Sequence, residues 1–190
     1  MHKIKKVSKY VRYLILFLAF IHIASFALTI LLSDKICSSR LLDIELGGSI
    51  YSSIVEFDGT GKNLAPVLKE EGFDSTIILG SVDIIVYSFL YFLLFKLFGL
   101  YMRGFIFTAS NINCIRNMGR VLMLWVGLSI IYPLIVVFII RMLALSDSLQ
   151  YHFSFGSSEL IRLMLGVVIY VIAWIMAEAM KLNQEQELVI

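Results

Sequence analysis

The sequence predicts an all-α integral membrane protein, a bundle of four transmembrane helices with a modest loop outside the membrane between the first two. Two observations lead to this fold class. The chain of 190 residues is 59% hydrophobic and 16% charged, whereas soluble domains average about 45–50% apolar and about 25% charged residues. Four stretches also reach the roughly 20 mostly apolar residues that a helix needs to cross a bilayer core. A single membrane domain over residues 1–190 accounts for the whole chain.

The four predicted spans cover residues 13–32, 76–98, 121–140 and 159–180. Basic residues precede the first span, as they do in a secretory signal, but its apolar run is longer than the usual h-region of about 7–15 residues. We therefore interpret it as a retained helix. Residues 33–75 form the predicted outer loop, in which we expect a small hairpin and a short helix over 65–72.

The distribution of Lys and Arg predicts which connections face the cytoplasm. The segment before the first span holds five basic residues and no acid, and residues 99–120 hold Arg103, Arg116 and Arg120, again with no acid. The 33–75 loop instead holds four basic residues against eight acidic ones. Because basic short segments stay on the cytoplasmic side, we expect both termini and the 99–120 connection in the cytoplasm.

Helical spacing places several polar side chains inside the membrane. Asp83 and Tyr87 share one face of the second span, Arg162 lies in the fourth span with Tyr170 near its face, and His22 lies in the first. Ionisable groups at such depth are costly and usually face protein or water. Asp83 and Arg162 both lie near the outer ends of their spans, so an ion pair is expected. Its role stays open between fixing helix register and forming an outward-facing pocket for a small ligand or protons.

Residues 103–120 are predicted to form a cytoplasmic amphipathic helix that continues into the third span. Polar side chains recur at i, i+3, i+4 and i+7, the spacing of one helix face. This face consists of Asn113, Arg116, Asn117 and Arg120, with Arg103 shortly before it. Its charge suits membrane lipid with anionic headgroups or a cytosolic protein. We expect the tail acids Glu185 and Glu187 to pair with these arginines.

Catalytic motifs are not found in the sequence. It has no Ser/His/Asp set, no H-E-x-x-H, no phosphate loop and no dinucleotide turn. The net charge of +2 does not indicate direct binding of nucleic acid, and the cysteines lack neighbours at metal-ligand spacing. We therefore expect no enzyme activity, no metal and no cofactor.

Two short segments resemble a known family. They are residues 104–108 (GFIFT), followed by Asn111, Ile115, Arg116 and Gly119, and the ending 185–190 (EQELVI). Both resemble small bacterial membrane proteins of domain-of-unknown-function family 2975, although Val189 stands where the family usually has Thr. The resemblance implies a multi-pass protein of the bacterial inner (cytoplasmic) membrane. It also implies, by gene association, a partner among small helix-turn-helix regulators.

Three functions follow as expectations. The first is a regulatory or sensory membrane protein that binds a cytosolic protein such as a helix-turn-helix transcription regulator. The second is a small transporter or channel component that uses His22, Asp83 and Arg162, in a homo-oligomer. The third is an immunity or envelope-stress membrane protein.

Overall fold

Four long helices contain nearly all of the residues that the computed structural model describes, which are 2–36, 64, 68, 72–73, 75–104, 108–143 and 156–187. They are α1 (His2–Ile36), α2 (Ser75–Met102), α3 (Ala109–Met142) and α4 (Ser157–Glu187). Each contains a stretch long and apolar enough to cross a membrane: Lys3–Leu28, Ile77–Met102, Ala109–Met142 and Ser157–Gln186. The prediction of an all-α, multi-pass membrane protein with four spanning helices is thereby confirmed.

The helices extend beyond the apolar runs that predict the spans. Thus α1 begins at His2 and α3 begins at Ala109, whereas the predicted spans begin at residues 13 and 121. The intervening residues contain no Pro, and Lys and Arg are good helix formers, so the backbone hydrogen bonds continue without interruption. α3 starts after Thr108, whose carbonyl accepts a hydrogen bond from the Ile112 N–H at 3.1 Å.

A left-handed glycine follows the C-terminus of α2. The N–H groups of Arg103 and Gly104 donate to the carbonyls of Leu100 and Tyr101, each at 3.0 Å, which tightens the last turn. Gly104 has φ +88°, a conformation that glycine adopts without the steric cost met by other residues. The helix therefore stops at this point, and the chain turns toward α3.

The described residues divide into two compact units. The first unit comprises Met1–Ala19, Val86–Val126 and Ser157–Ile190, and the second comprises Phe20–Ile85 and Gly127–Gly156. The core of the first unit consists of Val86, Leu122 and Trp125. Partly buried apolar side chains surround this core: Tyr87, Leu90, Val121 and Ile169.

The backbones of α3 and α4 approach closely at two glycines of the first unit. A Cβ atom added at Gly119 would lie 2.8 Å from both the carbonyl oxygen of Gly166 and the backbone nitrogen of Tyr170. One added at Gly166 would lie 3.1 Å from the carbonyl oxygen of Gly119. Membrane helices lack a hydrophobic drive toward each other and associate through such close packing. The two glycines are thus what allows α3 and α4 to pack against each other here.

The second unit has its own apolar core. Leu79 of α2 packs with Val136, Val137 and Ile140 of α3, and Leu64 and Leu68 are buried in the same cluster. Leu64 and Leu68 are both helical, and Leu68 lies within the short helix predicted over 65–72. The predicted hairpin of the 33–75 loop lies outside the described residues.

In the second unit, one backbone carbonyl of α2 accepts hydrogen bonds from two hydroxyl groups. The Tyr132 hydroxyl donates to the Ile78 carbonyl at 2.5 Å, and the Ser81 hydroxyl donates to the same oxygen at 3.1 Å. Because bonds in a membrane have no competing water, they help to hold α3 against α2 beside the only proline of α3, Pro133.

The helices differ widely in how much of their apolar surface is covered by protein. In the most apolar stretch, 28% of residues are buried for α3, 22% for α2, 11% for α4 and 6% for α1. α3 is therefore the most enclosed helix, whereas α1 turns most of its apolar side chains outward.

We expect Gly119→Ala to destabilise the protein by about 1 to 3 kcal/mol, because the added methyl group would overlap backbone atoms of α4 that cannot rotate away. Thermal unfolding of the purified protein in detergent measures this. Gly127→Ala is the matched control, since it adds the same methyl group to the same helix with nothing within 4 Å of it. Equal stability of the two variants would contradict a direct backbone contact.

Candidate functional site

One charged side chain within the described spans has both an ion pair and an aromatic contact: Arg162, in the second turn of α4. Its Nη1 lies 3.7 Å from Oε1 of Glu159, which is three residues earlier and so on the same helix face. Its guanidinium carbon lies 4.6 Å from the centre of the Trp125 ring. A carboxylate and an aromatic face both favour the positive charge, so both stabilise Arg162 in a helix apolar enough to cross a membrane.

An aromatic pair supports this arginine. Trp125 is buried, and its ring meets that of Tyr87 edge-to-face, with 4.9 Å between ring centres and 72° between planes. Edge-to-face rings attract each other beyond their area of contact. Two of the predicted intramembrane residues, Tyr87 and Arg162, are therefore brought to the same cluster by Trp125. We name Glu159, Arg162, Trp125 and Tyr87 the arginine cluster.

The sequence analysis did not identify Trp125 or Glu159 as members of this site. The sequence does indicate the role of Glu159, because an acid three residues before Arg162 on a helix is close enough to form an ion pair. It does not indicate the role of Trp125, since the contact of Trp125 with Arg162 depends on how α3 and α4 are aligned.

The other predicted intramembrane residues lie elsewhere. Asp83 and His22 belong to the second unit, where the Asp83 carboxylate lies close enough to act electrostatically on the His22 imidazole. The Tyr170 ring centre lies 5.9 Å from the guanidinium carbon of Arg120, within cation–π range. The predicted ion pair between Asp83 and Arg162 stays a prediction.

The polar face predicted for residues 103–120 forms part of the first turns of α3. Asn113, Asn117 and Arg120 are exposed and Arg116 is half-buried, while the apolar side chain of Ile112 is buried. These turns belong to the same continuous helix as the third span. The helix backbone therefore fixes the spacing of the polar side chains on this face. We name Asn113, Arg116, Asn117 and Arg120 the α3 face.

The remaining predicted residues lie at the chain's connections and tail. Arg103 is exposed just beyond the end of α2, and Glu185 is exposed in the last turns of α4. Within the described residues, no ion pair joins Glu185 to Arg103, Arg116 or Arg120. The side chain of Glu187 lies outside them. The described part of the chain holds no group of three His, Cys, Asp or Glu side chains arranged as metal ligands.

Two ion pairs of equal spacing on α4 differ in burial and give a matched test. Glu159→Gln leaves Arg162 without its carboxylate, so we expect the free energy of unfolding to fall by about 1 to 3 kcal/mol. Glu178→Gln breaks an exposed pair with Lys181 at 4.0 Å and should change it by less than about 0.5 kcal/mol. Denaturant unfolding in detergent gives both values; equal losses would mean that burial adds nothing to the Arg162 pair.

Comparison with known proteins assigns the family. The family described as "Protein of unknown function (DUF2975)" matches residues 9–190, a range that includes α2, α3, α4 and most of α1. No curated protein matches the chain, and no solved structure matches it. The matched range also contains residues 104–108 and 185–190, which carry the resemblance seen in the sequence. The chain therefore belongs to the DUF2975 family.

Proposed function

We propose that this is a non-enzymatic regulatory or sensory protein of the bacterial inner membrane. In this proposal both termini are cytoplasmic, and the α3 face binds a cytosolic protein that presents an acidic surface. The observation that supports it best is the unequal division of charge between the two units, taken with the exposure of the α3 face.

The two units carry opposite charge. The first unit contains eleven of the 16 Lys and Arg residues but four of the 14 Asp and Glu residues, and the second contains the remaining five and ten. Basic segments are retained on the cytoplasmic side of a membrane. This division favours an orientation in which the first unit faces the cytoplasm.

The basic charge of the first unit is largely uncompensated. Residues 1–19 and 86–126 hold nine Lys and Arg and no acid, because every acidic residue of this unit lies on α4 or in the tail. Two of these acids, Glu159 and Glu178, already pair within α4. Uncompensated cations attract anions and raise the rate at which an acidic partner associates.

The length of α3 favours a protein partner over lipid alone. Its 34 residues extend about 51 Å at 1.5 Å per residue, whereas a bilayer with its headgroups is about 40–45 Å thick. An upright α3 is therefore about 6–11 Å longer than the membrane is thick. Asn113 and Asn117, which offer directional hydrogen bonds beside the arginines, lie in its first turns.

The family resemblance supplies a candidate for the partner. The gene association that the resemblance implies suggests a small helix-turn-helix regulator, held at the membrane by an acidic surface away from its basic DNA-binding helix. Such binding would reduce the amount of regulator free to occupy DNA. No nucleic acid needs to contact the membrane protein itself.

The test is crosslinking in native membranes, followed by mass spectrometry of the captured proteins. We expect wild type to capture a cytosolic protein that Arg116→Glu with Arg120→Glu captures about tenfold less, because reversed charges repel an acidic partner. The control reverses two exposed lysines of α1, Lys3→Glu with Lys6→Glu, at equal abundance. Equal capture by wild type and the arginine variant, or equal loss in the control, would remove the α3 face as the binding surface.

A second candidate function rests on His22 and Asp83, which belong to the same unit. An imidazole and a carboxylate within a membrane can take part in a proton relay, which suits a small transporter or channel component. Under the regulatory proposal, we expect Asp83→Asn to retain full partner capture and to leave proton flux into dye-loaded proteoliposomes at the lipid background. A wild-type flux above that background, abolished by Asp83→Asn but not by Glu178→Gln, would favour the transporter instead.

A further inference from the structure

The guanidinium of Arg12 is packed between side chains of α2. Its carbon lies 3.9 Å from the centre of the Phe95 ring, and its Nη1 lies 3.6 Å from the Met102 sulfur. A Cβ added at Gly99 would lie 3.7 Å from the same carbon. Because Phe95, Gly99 and Met102 recur at i, i+4 and i+7, a single face of α2 holds this arginine.

The hydrogen bonds of Arg12 are left incomplete by this packing. A guanidinium carries five N–H donors and a permanent positive charge, and a thioether sulfur is a weak acceptor. Among the described residues, Met102 is the acceptor for Nη1, while the buried Nε has none. Phe95 contributes attraction to the charge but no lone pair. The other N–H groups of this half-buried guanidinium are therefore able to take oxygen acceptors from outside the described residues.

The two segments that hold Arg12 and its described contacts contain no carboxylate. Residues 1–19 and 86–126, which include the face of α2 against Arg12, contain no Asp or Glu. Arg12 is half-buried, so its side chain remains reachable from the surroundings of the helices. The remaining donors of Arg12 are thus open to an anion from the membrane or from solution.

A second cation lies on the same side of α1. The Lys5 Cε lies 3.7 Å from the position of a Cβ at Gly104, and Ser8, between Lys5 and Arg12, is 3% exposed. Lys5 and Arg12 are seven residues apart, which places them about 10 Å apart along one helix face. Together they line the contact between α1 and the C-terminal end of α2.

We propose that Arg12 and Lys5 form a binding site for a phosphate oxyanion, supplied by the headgroup of an anionic phospholipid. Arg12 directly precedes the apolar run that begins at residue 13, which is the depth of the lipid phosphates. Arginine binds phosphate through two parallel N–H···O bonds, and basic pockets between membrane helices bind anionic headgroups. Stacking on Phe95 holds the guanidinium plane ready for this contact. The site shares no residue with the α3 face.

The experiment uses the full chain in detergent, with bound lipid measured by native mass spectrometry. The probes are phosphatidylglycerol, phosphatidylcholine and inorganic phosphate. We expect wild type to retain phosphatidylglycerol in preference to phosphatidylcholine. Arg12→Gln should weaken that retention about tenfold, the loss expected for a charge-assisted pair of hydrogen bonds. Lys6→Gln removes the same charge from a different face of α1 and should weaken it less than about twofold.

A second variant separates binding from folding. Phe95→Leu keeps the charge of Arg12 and an apolar contact but removes the ring, so we expect retention to fall about threefold with the thermal midpoint unchanged. Equal retention by Arg12→Gln, Phe95→Leu and Lys6→Gln would overturn the site. Binding of inorganic phosphate without retention of phosphatidylglycerol would overturn the lipid as its source.

Discussion

In the first unit, α3 and α4 approach until their backbones touch at Gly119 and Gly166, where only a hydrogen atom fits on each Cα. That contact sets the alignment of the two helices over several turns. Tyr170 lies one turn after Gly166, and its ring contacts the guanidinium of Arg120. Arg162 lies one turn before Gly166, and its guanidinium contacts the ring of Trp125. From the first contact to the second, the residue number rises along α3, from Arg120 to Trp125, and falls along α4, from Tyr170 to Arg162. The two helices are therefore antiparallel here. The arginine cluster and part of the α3 face thus depend on one pair of glycines.

Charge compensation differs between α4 and the rest of the first unit. Near the N-terminus of α4, Glu159 and Arg162 satisfy each other within one turn, with Trp125 covering the cation. Elsewhere in the first unit, the cations of α1, α2 and α3 have no acid on their own segments. In a low-dielectric environment, such cations attract nearby anions more strongly than they would in water. Protein, lipid and solvent anions therefore compete for this unit, and the position of each cation relative to the membrane decides which one binds.

The apolar runs were sufficient to predict the four helices, because no soluble fold needs four such runs in 190 residues. They were insufficient for the helix ends, since the apolar runs begin at residues 13 and 121 whereas α1 and α3 begin at His2 and Ala109. For α3, the spacing of polar side chains over 103–120 supplied the prediction that hydropathy did not. The contacts between side chains were harder to predict from the sequence than the helix ends. Arg162 and Asp83 share a predicted depth, yet the described ion pair of Arg162 is with Glu159, a neighbour on its own helix. The stacking of Arg12 on Phe95 depends on the alignment of α1 and α2, which no single-helix pattern contains.

The low burial of α1 has a consequence for how its sequence can change over time. With 6% of its most apolar stretch buried, most of its side chains are left uncovered by the described chain. Lipid tails that cover such side chains in a bilayer accept any hydrophobic shape equally well. Exchanges among Leu, Ile, Phe and Val there leave the packing of the other helices untouched. The helix is free to drift in sequence while it keeps its hydrophobicity. Substitutions are less well tolerated where α1 contacts the rest of the chain. Those positions are Lys5 and Arg12, which lie against α2 and the turn after it, and the buried Ser8 and Ile15.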